Sequence, residues 1–153
     1  STIGVGSIEL GHATDTTLSR VSAGVVAIEG VNIVNLSSAQ TLTNKQITSR
    51  VVSAVSITTS VAINADVTDM HLVTAQAEAI LYSNPTGTLT ENQKLIIRIK
   101  DNATARAITW GAAFRAMGTA LPTTTVVSKW KLLGFIYNVT DARWDLVSAA
   151  DEA

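Results

Sequence analysis

Residues Gln93–Trp110 read QKLIIRIKDNATARAITW. Leu95, Ile97 and Ile99 alternate with Ile96, Arg98 and Lys100. Successive side chains of a strand point to opposite faces, so this period of two predicts a strand with one wholly apolar face. Asp101 and Asn102 follow, and both can hydrogen-bond their own backbone, which predicts a turn. Ala105, Ala107 and Thr109 then alternate with Arg106, Ile108 and Trp110. The whole stretch therefore predicts an antiparallel hairpin in a β-sandwich core.

Similar signals lie on either side of it. Upstream, Val52–Thr58 and Val61–Asn64 alternate weakly, and Asp66–Asp69 has the composition of a turn. In Met70–Gln76, His71, Val73 and Ala75 oppose Met70, Leu72 and Thr74. Ala77–Tyr82 fits either a helical turn or a strand. Asn84-Pro85-Thr86-Gly87 predicts a loop, because Pro fixes φ and Gly permits a reverse turn. Downstream, Gly111–Leu121 predicts an irregular connection or short strand, stopped by Pro122. Thr123–Asn138 puts Trp130, Leu132, Gly134 and Ile136 on one face. Asn138–Arg143 predicts a turn, Trp144–Ser148 the last strand, and Ala149–Ala153 a frayed tail. Short strands separated by turn signals about every 8–12 residues indicate an all-β fold. An antiparallel β-sandwich or jelly roll is expected over residues 51–153.

Residues 1–50 differ. Short apolar alternations there are interrupted by Gly4, Gly6, Gly11, Gly24 and Gly30. Each is too short for a self-sufficient sheet. An extended, partly β arm is expected, ordered by winding with its counterparts, with the polar Ser37–Ser49 segment as the boundary.

Composition agrees with assembly. Apolar residues make up 46% of the 153, mostly Ala, Val, Ile and Leu, and mean hydropathy is +0.29. Charged residues make up 15%, against about 25% in an ordinary soluble domain. Apolar surface meeting another subunit accounts for this better than an unusually thick monomer core. The net charge of −1 supplies no basic face for phosphates, so nucleic acid is not expected as a partner. The longest apolar run, near Leu132–Tyr137, falls far short of the roughly 20 residues that span a membrane. No basic segment followed by an apolar core marks a secretory signal. Without cysteine there are no disulfides or thiolate metal sites.

Chemistry is sparse. The two histidines, His12 and His71, lie in the Gly-rich segment and in a strand-like run. No HExxH, GxSxG, phosphate-binding loop or GxGxxG motif occurs. Asp66 and Asp69, like Asp141 and Asp145, cluster at turns but lack the ligand density of a calcium loop. No catalytic residue, cofactor or metal is therefore expected. Asn35, Asn102 and Asn138 begin glycosylation tripeptides that are read as turn chemistry. Ligand contact would fall to aromatics, whose faces stack on apolar sugar faces. Of Trp110, Trp130, Trp144, Tyr82, Tyr137 and Phe114, Trp110 is the best placed, since it ends a strand beside Gly111. Trp110 and Arg115 are the candidate ligand-binding pair.

Two further stretches carry a resemblance. Gly11–Gly30 (GHATDTTLSRVSAGVVAIEG) resembles a segment recurring in structural and tail-fibre proteins of tailed bacteriophages. Thr41–Ser49 (TLTNKQITS) is similar to the TLTNKT-type stretch that often follows it. KLIIRIKDNATARAITW, FRAMGTALPTTTVVSKW and IYNVTDARWDLV look like the terminal globular domain of the same proteins. The resemblance covers nearly the whole chain, and its motifs are structural. It implies a virion protein, usually a homotrimer, joined through residues 1–50 to other virion proteins. Its β domain would face outward toward a host surface glycan or protein. Phage fibres are commonly much longer, so a capsid decoration or head-fibre protein, clamped to the shell by its arm and without receptor binding, is the alternative.

Overall fold

The structure, a computed structural model, describes residues 46–153 throughout. Before them it describes the backbones of β1 (Ser7–Glu9), β2 (Thr17–Ser22), β3 (Val25–Ile28) and β4 (Val31–Asn32). The chain forms two compact units, Ser1–Gln46 and Ile47–Ala153. In the first, β1 to β4 pair antiparallel in chain order. Apart from these backbones, the expected arm and His12 lie outside the described residues.

The second unit is all-β. Its strands are β5 (Val51–Ala54), β6 (Ser60–Asn64), β7 (Met70–Gln76), β8 (Ile80–Thr86), β9 (Lys94–Asp101), β10 (Ile108–Trp110), β11 (Phe114–Ala116), β12 (Lys131–Asn138) and β13 (Arg143–Asp151). No helix occurs among the described residues, and so none is long and apolar enough to cross a membrane. The strands form a six-stranded sheet, β11-β13-β12-β9-β7-β5, and a three-stranded sheet, β10-β8-β6.

The expected antiparallel arrangement is incorrect. β5, β7 and β9 run parallel in the large sheet, and β6, β8 and β10 run parallel in the small one. In this unit β12 alone pairs antiparallel with both neighbours, β9 and β13. The expected hairpin over Gln93–Trp110 is likewise not one. β9 and β10 lie in different sheets, so the chain turns at Asp101 and Asn102 but crosses the core instead of pairing back on itself. The same move joins β5 to β6 and β7 to β8. Three strand–turn–strand arches are thus stacked in parallel, like successive coils of a solenoid. The hairpin β12–β13 and the short β11 extend the large sheet beyond them.

Buried polar side chains hold the arches in register. Gln76 is fully buried at the end of β7. Its Oε1 accepts the Ile57 N–H at 2.9 Å, and its Nε2 donates to Ile57 O at 2.7 Å and Glu78 O at 2.9 Å. One side chain therefore ties the first arch to the second. Asp101, paired with Gln76 in the ladder, serves the third. Its Oδ1 accepts the N–H groups of Ala103 and Ser128, and its Oδ2 accepts the Thr125 hydroxyl at 2.8 Å. Ala103 completes this turn in the left-handed region, with φ 68°.

The predicted Asn84–Gly87 loop is largely strand. Pro85 is tolerated because β10 pairs with β8 only as far as Tyr82, so beyond it one side of β8 has no ladder to break. The turn comes at Gly87, whose φ is 109° and where a Cβ would sit 2.9 Å from the Asp66 carboxyl. Gly111 has a comparable constraint, since a Cβ there would meet Asn84 Oδ1 at 2.5 Å.

Both sheets contribute to one core. The large sheet supplies Val73, Leu95, Ile97, Ile99, Leu133, Phe135, Trp144 and Leu146, and the small sheet supplies Ile63, Ile80, Tyr82 and Ile108. The predicted inward face of β9 is borne out, because Leu95, Ile97 and Ile99 are all fully buried.

Candidate functional site

The two sheets present different outer faces. On the small sheet, the outward positions include Ser60, Ala62 and Asn64 of β6, the exposed Leu81 of β8 and Thr109 of β10. On the large sheet, Val51, Ile96, Leu132 and Val147 are exposed, and Met70, Leu72 and Ile136 are half-buried. Register aligns them into rows: Met70 beside Ile96 and Ile96 beside Gly134, then Leu72, Arg98, Leu132 and Ala150 across four strands. The predicted grouping of Leu132, Gly134 and Ile136 holds, and theirs is the outer face.

Trp130 lies at the end of this face, just before β12. Its N–H donates to Glu152 Oε2 at 2.9 Å, and its carbonyl accepts the Glu152 N–H at 2.8 Å. The Arg98 guanidinium carbon lies 4.4 Å from the indole centroid, and Lys100 Nζ lies 5.7 Å from it. The negative face of an indole attracts such cations. Trp130, Arg98, Met70, Leu132, Asp151 and Glu152 line a groove of about 450 Å³. Neither Arg98 nor Lys100 has a carboxylate partner among the described residues. Asp151 is engaged by Lys131 Nζ, a largely buried ammonium.

The sequence-chosen pair is placed differently. Trp110 stacks on Tyr82 at 5.0 Å and 15°, packs against Phe114 and Phe135, and donates its Nε1–H to Pro122 O at 2.7 Å. It closes one end of the core. Phe114 and Arg115 are successive strand residues, so they face opposite ways. Arg115 forms a fork on Asp145 (2.7 and 2.9 Å) and reaches Asp141 at 2.8 Å. These two carboxylates raise the guanidinium pKa above its ordinary value. Trp110 and Arg115 are therefore not brought together on one surface. Arg98 and Lys100 read in the sequence as the solvated alternates of an ordinary strand, and no local signal brings Trp130 beside them. Their alternation with Ile97 and Ile99 was the available signal for that face.

Of the four turn aspartates, Asp69 is held by Arg50, and Asp141 and Asp145 by Arg115. Arg50 grips Asp69 through Nε (3.0 Å) and Nη2 (2.5 Å), and these bonds hold the Asp69 carboxyl at about 2. Asp66 accepts the Thr88 N–H. No cluster of three metal-ligating side chains occurs among the described residues. Asn102 and Asn138 serve their turns: Asn102 Oδ1 accepts from Arg106, and Asn138 Oδ1 accepts the Asp141 N–H.

His71 points into the core, edge-on to Tyr82 at 5.8 Å, and its Nδ1 has no partner. Burial lowers its pKa. The unfolded chain therefore takes up this proton first as pH falls below the ordinary value of about 6.5, and the fold loses stability from there down to the depressed folded value. Asp69 does not interfere, because its contribution is lost only below about 3.8, toward 2. The thermal midpoint is expected to fall between pH 7 and pH 5, and scanning calorimetry of His71→Gln should show a flatter profile. Parallel pH profiles for parent and variant would assign the effect elsewhere.

No protein-family model, curated protein or solved structure matches this chain.

Proposed function

We propose that this chain is a fibre-type structural protein of a tailed-bacteriophage virion. Residues 1–50 trimerise and attach it, and the β domain, a two-sheet sandwich, contacts the host surface. It is a binding and assembly protein without catalysis. The resemblance of Gly11–Gly30, Thr41–Ser49 and the C-terminal stretches supports the virion setting. The observation that carries surface contact is the exposed outer face of the six-stranded sheet, with the Trp130–Arg98 groove at its end. Trp110, Trp144, Tyr82, Tyr137, Phe114 and Phe135 all pack in or against the core, which leaves Trp130 as the aromatic on an outer face.

Light scattering on a sizing column tests the assembly. The full chain is expected at three times its 16.1 kDa mass, and a version lacking residues 1–46 as a monomer. Labelled full-length trimer is expected to bind bacterial cells from a host panel. A monomeric full chain overturns the fibre reading. A trimer that binds no cell and is recovered only with DNA-filled heads replaces it with the capsid-decoration role.

A further inference from the structure

We propose that the groove formed by Trp130, Arg98 and Leu132 binds a carboxylated pyranose, a uronic or sialic acid unit of a surface polysaccharide. This rests on the surface-contact reading above and narrows its ligand to an anionic sugar.

The charges determine the class. Arg98 and Lys100 sit 4.4 and 5.7 Å from one indole centroid. Asp151 is neutralised by Lys131, while the Glu152 carboxylate accepts the backbone N–H of Trp130 and keeps its charge. Around Trp130, Arg98, Lys100 and Lys131 face Asp151 and Glu152, three cations against two carboxylates, so one positive charge is left over on a chain whose net charge is −1. Arg50 and Arg115 show the contrast, since each is neutralised by a forked aspartate within its own fold.

The shape narrows the class further. A planar guanidinium matches a carboxylate through two parallel N–H···O bonds. Contact with the face of Trp130, at 4.4 Å from the ring centroid, restricts the Arg98 side chain beforehand, so less freedom is lost when the ligand arrives. Met70 and Leu132 supply an apolar wall for the C–H face of a sugar ring. The volume of about 450 Å³ lies within the range of small-ligand sites. A neutral sugar would satisfy the apolar wall but leave both cations unpaired.

The test titrates the full-length chain by calorimetry with trigalacturonate and with 3′-sialyllactose, each beside its carboxyl-reduced neutral form. At least one acidic probe is expected to bind, with its neutral form weaker by about tenfold or more. Arg98→Gln should weaken the acidic probe about 10- to 100-fold. Arg98→Lys should fall in between, because it keeps the charge and loses the fork. Affinity should decline with added salt, and the Trp130 indole N–H resonance should move during titration. Unchanged melting of both variants shows that binding alone was altered, as expected for the exposed Arg98. Equal binding of acidic and neutral forms, or acidic binding untouched by Arg98→Gln, overturns the proposal. So does the failure of both acidic probes to bind. Binding of the same wild-type protein to whole cells then separates this failure from that of the surface-contact reading.

Discussion

Ile97→Asp unfolds the β5–β13 unit at room temperature. Ile97 is fully buried on the inner face of β9, the strand that joins the parallel half of the large sheet to its antiparallel half. Its ladder neighbours are His71 on β7 and Leu133 on β12. Removing the side chain alone costs about 2–5 kcal/mol. The new carboxyl must then either remain ionised without a partner or protonate at a strongly raised pKa, which adds several kcal/mol. The total reaches the 5–15 kcal/mol by which domains of this size are folded at all. Circular dichroism at 25 °C and a proton spectrum without dispersed methyl signals would record it. A variant that melts within about 5 °C of the parent would mean that this face does not line the core.

Gln76→Leu is the second large loss, and it tests the arches themselves. The side chain satisfies both backbone groups of Ile57 and the carbonyl of Glu78. Leucine has similar bulk and no polar atom, so it leaves those groups unpaired at about 1–3 kcal/mol each. Water reaches part of this corner, since Ile57 is half-buried and Glu78 exposed, and a net loss of about 3 kcal/mol is expected. Urea unfolding measures it as a lower midpoint at unchanged slope. Parent-like stability would show that the first two arches are held by apolar packing alone. Hydrogen exchange adds a local readout, in which the amide of Ile57 loses protection before those of β12.

Faces were legible in the sequence, and neighbours were not. The alternation in Lys94–Lys100 correctly separated Leu95, Ile97 and Ile99 from Arg98, because side-chain direction is a local property of a strand. The same alternation is satisfied whether the next strand pairs beside β9 or faces it across the core. Ile108 and Trp110 enter a common core either way, so the hairpin and the arch read alike. What separates them is the end of the strand. Asp101 is buried there and spends its carboxylate on Ala103, Thr125 and Ser128, residues that an ordinary two-strand turn would not gather. Gln76, in register with it, gives the same indication. The groove was hidden for a related reason. β12 is apolar on both faces, with Leu133, Phe135 and Tyr137 inward and Leu132 and Ile136 outward, so its period does not say which side meets solvent. Trp110 looked exposed by its place beside Gly111, yet its ring completes the aromatic cluster with Tyr82, Phe114 and Phe135.

The order of the strands along the chain also matters as the protein leaves the ribosome. β5 to β10 are stacked so that each arch rests on the one made before it. Within the arches every earlier parallel partner is therefore already outside when its mate emerges, and all six arch strands are out once Trp110 has appeared, while Thr125 and Ser128 follow to complete the Asp101 anchor. β9 and β11 wait, because β12 reaches β9 with Lys131–Ile136 and β13 reaches β11 with Trp144–Leu146. The nascent chain can thus grow from one end, as domains do when they fold during synthesis. The last hairpin then shuts the exposed edge of β9 just before release.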